Sequence, residues 1–429
     1  MSTVAGERGA GDVTRVSDKP PAGPAPKVRV TWARVLIAAA VLVVLLSLVR
    51  VLSGATDLTS AGAVSAALLL AVPIAMAGLG GLWAERAGVV NIGLEGMMIL
   101  GTWGAGWAGY QWGPWAGVLA ALVFGAIGGL LHAVATVLFN VDHIVSGVAI
   151  NILAFGATQF LSNAFFTKVE GGSTKQSPTV DDIGTVSVPL VGDGLRSLET
   201  QQWFLVSDVA GITRGLLTNV SWITLIAVLL LPLSFFVLWR TAFGLRLRAC
   251  GESPVAAESL GVNVYKMKLI AVVASGAFAG LGGASLALAA SKFYQEGQTG
   301  GRGYIGLAAM IFGNWRPGGL LTGSLLFGFT EGARLRQGGE SVHALLLLIG
   351  VSLLALAVWQ LYRARRATAL LAATVGAAAL WWYLATEAVP DSFTEMTPYV
   401  ATLLVLALFS QRLRMPAADG QPYRRGEAG

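Results

Sequence analysis

The chain has 429 residues, of which 55% are apolar and only 12% are charged, whereas soluble domains carry about 25% charged residues. This deficit, with apolar runs longer than about 18 residues, excludes an ordinary soluble domain and predicts a polytopic helical membrane protein. The net charge of +6 is concentrated in loops and tails, which indicates membrane orientation rather than nucleic-acid binding, and the single cysteine, Cys250, excludes an internal disulfide and a cysteine-based metal site.

In chain order, a charged stretch rich in Pro, Gly and Ala predicts a disordered tail over residues 1–32. A transmembrane domain is predicted over residues 33–414 and a second tail over 415–429. No cleaved signal peptide is expected, because the charged lead is long and no small-x-small site follows the first apolar run. Membrane segments are predicted at about 35–53, 61–82, 88–108, 114–139, 143–166, 217–239, 267–290, 341–361, 367–387 and 397–410.

Two shorter apolar pieces, at about 303–313 and 319–333, flank a helix-breaking turn, Asn314-Trp-Arg-Pro-Gly-Gly319. Eleven residues of helix reach about 16 Å, roughly half of the hydrocarbon core. Because irregular backbone is not tolerated against lipid, we expect a short broken hairpin buried in protein. The predicted fold class is therefore all-α, a polytopic integral membrane protein with about 10–12 transmembrane helices.

The distribution of basic residues predicts the orientation of the chain. If the basic N-terminal tail is cytoplasmic, then the loop from Arg240 to Lys268, Arg316 and the cluster at 362–366 are also cytoplasmic. This obeys the positive-inside rule if the broken hairpin counts as two passes, with Arg334 and Arg336 as exceptions. We therefore expect a multi-pass protein of the cell membrane with twelve membrane segments and both termini in the cytoplasm.

The stretch from Gly88 to Met98 places Asn91 and Glu95 at the mouth of an apolar segment, where a carboxylate is expensive unless it is paired, capped or facing water. Their spacing of four predicts that they share one helix face, and Gly93 and Gly96 are expected to let another backbone come close. Two interpretations stay open: both side chains cap backbone amides, or they fix a bend beside a transport pathway. Catalysis by Glu95 is not expected, because no second acid or histidine lies near it in the segment.

The segment from Asp142 to Phe166 carries Ser146, Asn151, Gln159 and Asn163. These side chains either make hydrogen bonds between helices or line a pore for a polar, uncharged solute. The set of candidate pathway residues is Asn91, Glu95, Asn151, Gln159 and Asn163.

The loop from Thr241 to Met267 contains signals for a short helix outside the membrane. Ser253 is a good N-cap, Pro254 suits the first helical position, and Gly261 suits the C-terminal cap. Such a helix between basic flanks is either a surface turn or a docking element for a cytoplasmic partner.

The sequence gives little support for a metal site, for phosphate binding or for ATP binding. The three histidines, His132, His143 and His343, have no metal-ligand spacing. The pairs Gly125/Gly129 and Gly276/Gly280 predict close helix crossings rather than phosphate binding. No Gly-x-x-x-x-Gly-Lys-Ser/Thr motif occurs, so ATP binding by a P-loop is excluded.

The sequence resembles the permease subunits of bacterial ABC importers of the simple-sugar and nucleoside type, the superfamily of ribose permeases and branched-chain amino-acid permeases. The resemblance rests on residues 84–96, 244–261 and 303–319, and more weakly on 398–409 and the tail at 421–425. The Asn-Ile-Gly-Leu-Glu-Gly form of the first motif is more similar to the nucleoside branch. The resemblance covers a core of about 60–335 and 397–414, and leaves about 341–390 as an added helical hairpin.

The resemblance implies partners and roles that composition does not. It implies a cytoplasmic ATPase with two nucleotide-binding halves, a second homologous permease subunit and an extracellular substrate-binding lipoprotein. The chain itself would hold no cofactor and perform no catalysis, with ATP and Mg bound by the partner ATPase. The residues implied in ATPase coupling are Arg246, Gly251, Glu252, Ser253, Pro254, Ala256, Ala257 and Gly261.

The function expected from the sequence is translocation of a nucleoside or related small neutral solute by ATPase-driven alternating access. A permease for a pentose or hexose is the alternative within the same class. An ion-coupled secondary transporter is a rival from another class, but it usually needs a relay of buried acids, and here Glu95 is nearly alone in the membrane.

Overall fold

The computed structural model describes residues 32–188, 191–337, 339–394, 396, 400 and 413–426. The predicted disordered tail up to residue 31 and nearly all of the predicted segment at 397–410 lie outside these residues. Helices dominate the described chain: α1 Trp32–Ser53, α2 Ala61–Arg86, α3 Leu94–Trp112, α4 Pro114–Ala133, α5 His143–Phe165, α6 Val191–Thr200, α7 Val206–Leu217, α8 Trp222–Arg240, α9 Ala242–Glu252, α10 Pro254–Ser259, α11 Val264–Ala284, α12 Arg302–Phe312, α13 Pro317–Gln337, α14 Gly339–Tyr362, α15 Arg366–Ala385 and α16 Asp391–Thr394.

Seven helices of the described chain are long and apolar enough to cross a membrane, which confirms a polytopic all-α membrane protein. Two of them, α4 and α11, are extended by π-helical turns, at Val134–Leu138 and Ser285–Ala290. The chain divides into two units, residues 1–42 and residues 43–429. The described part of the first unit is the start of α1, and the second unit contains the rest of α1 and all the other described elements.

Helix α2 lies at the centre of this unit and packs against α7, α11, α12 and α13. It is apolar on all sides, the pattern of a helix that is buried all round. The side chains of Met76, Leu79 and Leu82 are completely buried. The glycine pairs predicted to lie at close crossings do so between α4 and α11, where a Cβ atom at Gly129 would lie 2.6 Å from the carbonyl oxygen of Val272.

The broken hairpin is present, with one arm longer than predicted. Helix α12 has 11 residues, as the sequence indicates, whereas α13 has 21 and therefore extends about 31 Å. Asn314 and Trp315 in the turn both have positive φ angles, and Trp315 is 3% exposed. This irregular backbone is thus covered by protein, as the physics of the bilayer requires.

The segment 167–216, between the predicted membrane segments at about 143–166 and 217–239, contains regular structure that the hydropathy pattern does not reveal. It holds the amphipathic helices α6 and α7 and the strand β1 (Thr185–Val186), which pairs antiparallel with β2 (Val220–Ser221). Buried polar groups hold α7 in place. Arg50 of α1 donates to Asp208 of α7 at 2.7 Å, and Ser47 and Thr59 also donate to that carboxylate.

Candidate functional site

The turn between α2 and α3 corrects one sequence prediction. Asn91 and Glu95 do not share a helix face, because α2 ends at Arg86 and α3 begins only at Leu94. The Asn91 side chain accepts a hydrogen bond from the amide of Gly93 at 3.0 Å and donates to the hydroxyl of Ser275 at 2.8 Å. An asparagine that bonds to the backbone two residues on offers the chain an alternative to the helix, which explains the late helix start.

Glu95, in the first turn of α3, caps the N-terminus of α12. Its two carboxylate oxygens accept hydrogen bonds from the amides of Gly301, at 2.9 Å, and Gly303, at 2.7 Å. A negatively charged side chain at this end of a helix accepts hydrogen bonds from the backbone N–H groups that have no partner within the helix, and it complements the helix dipole. The absence of a side chain at Gly303 permits the close approach of α3 to α12, since a Cβ atom there would lie 2.6 Å from the Cα atom of Glu95. The geometry thus supports the capping interpretation, and a role for Glu95 in the pathway stays a prediction.

Asn151 of α5 extends this arrangement to a third helix. Its side-chain oxygen accepts from the amide of Gly96 at 2.7 Å. Its amide group donates to the carbonyl of Ile92 at 3.1 Å and to the hydroxyl of Tyr304 at 2.9 Å. Tyr304, on α12, is 47% exposed, so its ring lies at the edge of the bundle. The sequence did not predict this role of Tyr304, because no local pattern pairs α12 with α5.

Gln159 and Asn163 do not join Asn151 but lie exposed further along α5. Gln159 donates to Glu296 at 3.4 Å. Polar side chains on the outside of an apolar span are costly against lipid, so this face of α5 requires water or another protein chain. Glu296 lies in the loop between α11 and α12 and is a second residue whose contact with α5 was not predicted from the sequence.

Ser146, on the other side of α5, has a structural role. Its hydroxyl is 2.9 Å from Nδ1 of His132, whose Nε2 is 3.1 Å from the carbonyl oxygen of Val90. The histidine is completely buried and linked to protein at both nitrogens. Among the described residues, no group of three or more His, Cys, Asp or Glu side chains is placed to hold a metal ion.

The short helix predicted in the loop after α8 is present as α10. The Ser253 side chain accepts a hydrogen bond from the amide of Ala256 at 3.4 Å, Pro254 is the first helical residue, and Gly261 has a φ angle of +79°. The N-cap and the C-terminal glycine therefore lie where the sequence predicts them. Ala257 faces inward at 3% exposure, whereas Leu260 is 84% exposed.

The other residues implied in coupling divide between two faces. Arg246 of α9 and Ala256 of α10 are exposed. Gly251 is buried, and its carbonyl accepts a hydrogen bond from the amide of Ala418 at 2.9 Å. Glu252 accepts from the amide of Ala417 at 3.3 Å. Gly251 and Glu252 thus contact the C-terminal segment of the chain, whereas Arg246 and Ala256 lie on the exposed side of α9 and α10.

The C-terminal segment, residues 413–426, packs along α9, α10 and α11. Arg425 forms an ion pair with Glu258 of α10 at 3.2 Å, and the Tyr423 ring lies 5.4 Å from that of Tyr265. Hydropathy predicts a tail at these residues. It does not predict that the tail packs against the helices, since the segment is short and polar. The structure therefore links α10 to the rest of the bundle through the tail.

Asp419, the single acidic residue of this segment, is buried at 8% exposure. Burial raises the pKa of its carboxyl to about 7, although the neighbouring cations Lys268 and Arg86 act in the opposite direction. The carboxyl of Glu85, at the end of α2, lies beside it and accepts a hydrogen bond from the indole of Trp315 at 2.5 Å. The docked tail thus holds a carboxyl group whose charge changes near neutral pH.

Comparison with known proteins agrees with this architecture. The chain is 34% identical to the guanosine ABC transporter permease protein NupQ of Bacillus subtilis over 371 residues, which cover 85% of this chain and 97% of the relative. It is 34% identical to the nucleoside ABC transporter permease protein NupC of Lactococcus lactis, over 83% of this chain and 94% of the relative. A putative glucose ABC transporter permease protein of Haloferax volcanii, TsgC13, is 33% identical over 65% of this chain and 78% of its own length.

No solved structure matches the chain significantly. The family described as branched-chain amino acid transport system / permease component matches residues 63–357, from α2 into α14. This range includes the turn at Asn91, the cap of α12 and the whole of α9 and α10. The chain is therefore a member of this family of transport-system permease components.

Proposed function

We propose that this chain is the membrane subunit of an ABC importer that moves a nucleoside, or a closely related neutral solute, into the cell. The proposal extends what the names of NupQ and NupC say of those proteins to this chain. The relatives match it over most of both lengths, so the extension applies to the whole permease and not to one segment.

The observation that carries the proposal is the polar face of α5 beside Tyr304. Gln159 and Asn163 offer exposed amide groups further along α5, and the half-exposed Tyr304 ring, which is held by Asn151, offers an aromatic surface. An uncharged solute with a flat base and several hydroxyl groups fits amides and an aromatic ring, because the base stacks and the hydroxyls exchange hydrogen bonds. We place the second permease subunit opposite this face, so that the solute passes between the two chains.

The energy for transport comes, in this proposal, from a partner ATPase that binds ATP and Mg. The chain has no P-loop motif, and α10 offers the ATPase an open surface with exposed apolar side chains, Val255 at 41% and Leu260 at 84% exposure. Movement of α10 would switch the side to which the cavity opens. An extracellular lipoprotein would deliver the solute, and both termini would lie in the cytoplasm.

A sugar is the second candidate solute, and one observation favours it. TsgC13 of Haloferax volcanii bears the name of a putative glucose permease and matches 65% of this chain. Sugars lack a planar base, so they depend on the amides of α5 and much less on stacking against Tyr304.

Uptake measurements test the proposal. Cells that express the chain with its ATPase, second permease and lipoprotein are given labelled guanosine, uridine, ribose or glucose. We expect nucleoside uptake only. Tyr304→Leu lowers it about five- to tenfold through loss of stacking, and Tyr304→Phe, which keeps the ring, is the matched control. Uptake of a sugar that excess guanosine fails to inhibit would contradict the nucleoside assignment.

A further inference from the structure

A cavity of about 330 Å³ lies at the end of the bundle that carries α9 and α10. Its walls bring together four arginines from separate parts of the chain, Arg86, Arg248, Arg316 and Arg414, with Glu252 and Trp239. None of the residues proposed for the solute pathway lines it. The cavity therefore needs an explanation of its own.

The positive charge in this cavity is largely unbalanced. Arg86 donates to the carbonyl of Trp315 at 2.8 Å and lies 3.8 Å from Glu252. Within the described residues, the side chains of Arg316 and Arg414 form no ion pair, and both residues are exposed. Among the side chains that line the cavity, four guanidinium groups thus face one carboxylate, and Arg86 also lies near the carboxyls of Asp419 and Glu85, which do not line it. Arginine presents a fork of donors that matches phosphate oxygens, so an anion of this type would relieve the repulsion.

Trp239 holds two of the guanidinium groups in place. The guanidinium carbon of Arg86 lies 5.5 Å from the ring centroid, and that of Arg248 lies 5.4 Å from it. Arg248 also donates to the carbonyl of Leu238 at 2.9 Å. These contacts fix both side chains before any ligand binds, which lowers the entropy lost on binding.

The position of the cavity along the membrane normal indicates the source of the anion. Arg86 is the last residue of α2 and Trp239 the penultimate residue of α8, positions at which membrane helices reach the level of the headgroups. Phe235 stacks on Trp239 at 5.5 Å. The outer surface of α8 continues from there as an exposed apolar strip that includes Leu229 and Phe236, at 59% and 57% exposure. An acyl chain fits such a strip, whereas a soluble phosphate would leave it uncovered.

We propose that this cavity binds a phosphate group, supplied by the headgroup of an anionic phospholipid whose acyl chains lie along α8. Arg316 and Arg414 provide the charge that selects an anionic headgroup, and Arg86 and Arg248, held by Trp239, provide oriented donors. Basic pockets between membrane helices near the cytoplasmic side have the chemistry for such headgroups. The lipid would then contact α9 and the tail directly.

Native mass spectrometry of the full-length permease in detergent tests this proposal. Phosphatidylglycerol, phosphatidylcholine with the same acyl chains, and inorganic phosphate are titrated separately. The double variant Arg316→Gln with Arg414→Gln is expected to bind phosphatidylglycerol about 25-fold more weakly, since each basic residue contributes roughly a factor of five. The matched control is Arg363→Gln with Arg365→Gln, which removes the same charge from the turn between α14 and α15 and leaves the affinity unchanged.

Thermal unfolding without added lipid shows whether the double variant is folded, and Arg316→Gln alone, expected to lose about fivefold, gives a second measurement. Preference for phosphatidylglycerol over both other probes, lost in the double variant, supports the lipid site. Saturable binding of inorganic phosphate that competes with the lipid identifies free phosphate as the source. Equal lipid affinity of wild type and double variant overturns the proposal. Loss of ATPase co-purification with unchanged lipid binding also overturns it and makes the cavity a protein contact.

Discussion

The carboxylate of Glu95 accepts a hydrogen bond from the backbone amide of Gly303 at 2.7 Å, although the two residues are 208 positions apart. The bond joins the first turn of α3 to the first turn of α12. Because this cap comes from another helix, it satisfies the first amides of α12 and also fixes the position of α12, the short arm of the broken hairpin. The acid in the stretch from Gly88 to Met98 is thus part of the scaffold around the broken helix.

Replacement of Glu95 separates this structural role from a role in the pathway. Glu95→Ala leaves the buried amide of Gly303 and the partly buried amide of Gly301 without acceptors, at a cost of about 1–3 kcal/mol for the buried amide and less for the other, whereas Glu95→Gln keeps one acceptor and loses less. We expect the thermal unfolding temperature in detergent to fall in the order wild type, Gln, Ala. Glu170→Gln, at an exposed position, is the control. Wild-type stability of Glu95→Gln combined with abolished uptake would instead assign Glu95 to the pathway.

The exposed side chain of Leu260 gives a test of the docking surface. Leu260→Asp is expected to lower ATPase co-purification and uptake at least tenfold without loss of thermal stability, because an 84% exposed side chain contributes little to folding. The control is Tyr362→Asp, at 88% exposure at the end of α14. Equal co-purification of both variants with wild type would contradict docking at α10.

The integrity of α10 is tested separately. The amide of Ala257 donates to the carbonyl of Ser253 at 3.0 Å, so Ala257→Pro removes this bond and breaks the helix. Uptake and lipoprotein-stimulated ATP hydrolysis should be lost together, whereas solute binding to the lipoprotein is unchanged. Ala242→Pro, at the first position of α9, where proline is tolerated, is the control. Normal uptake by Ala257→Pro would show that α10 does not couple the two activities.

The ion pair between Arg50 and Asp208 predicts a large stability effect outside both proposed sites. The two residues are 5% and 1% exposed, and removal of one partner from a buried pair costs about 3–5 kcal/mol. Asp208→Asn should therefore lower the unfolding temperature markedly. Asp182→Asn is the matched control, because Asp182 pairs with Lys292 with both side chains more than half exposed, and such pairs contribute about 0–1 kcal/mol. Equal effects of the two substitutions would contradict this ranking.

Docking of the C-terminal segment is expected to depend on pH. With a pKa of about 7 when docked, against about 3.9 for a free aspartic acid, Asp419 keeps a proton in the docked state that it loses on release. Docking is therefore strongest at low pH and weakens as pH rises through about 7, by up to about 1.4 kcal/mol per pH unit. The groups that face Asp419 are Glu85 and Arg86 of α2 and Lys268 of α11.

A nitroxide label measures this directly. Gln421→Cys in a Cys250→Ala background carries the label, and its mobility is recorded between about pH 5.5 and pH 8.5. We expect the mobile fraction to increase with pH, and Asp419→Asn to remove most of the dependence. A mobility that falls with pH, or that varies equally in Asp419→Asn, would contradict the assignment to this carboxyl.

Local signals in the sequence predicted much of the fold. The apolar runs located the membrane helices, because a span must be apolar along its whole length and satisfies its backbone hydrogen bonds internally. Ser253, Pro254 and Gly261 predicted α10 for a similar reason, since caps act within a few residues of the helix end. The same local reasoning was wrong for Asn91, where a side-chain bond to the nearby backbone delays the start of α3.

The sequence by itself thus determined that the protein is a polytopic helical permease with a short capped helix between α8 and α11. Only the tertiary structure decided which polar groups meet: Glu95 with the amides before α12, Asn151 with Tyr304, Arg50 with Asp208, and the tail with α9 and α10. The physical reason is that hydropathy and capping are properties of neighbouring residues. The partner of a buried polar group is instead set by helix packing over long sequence distances, and one sequence carries no local record of it.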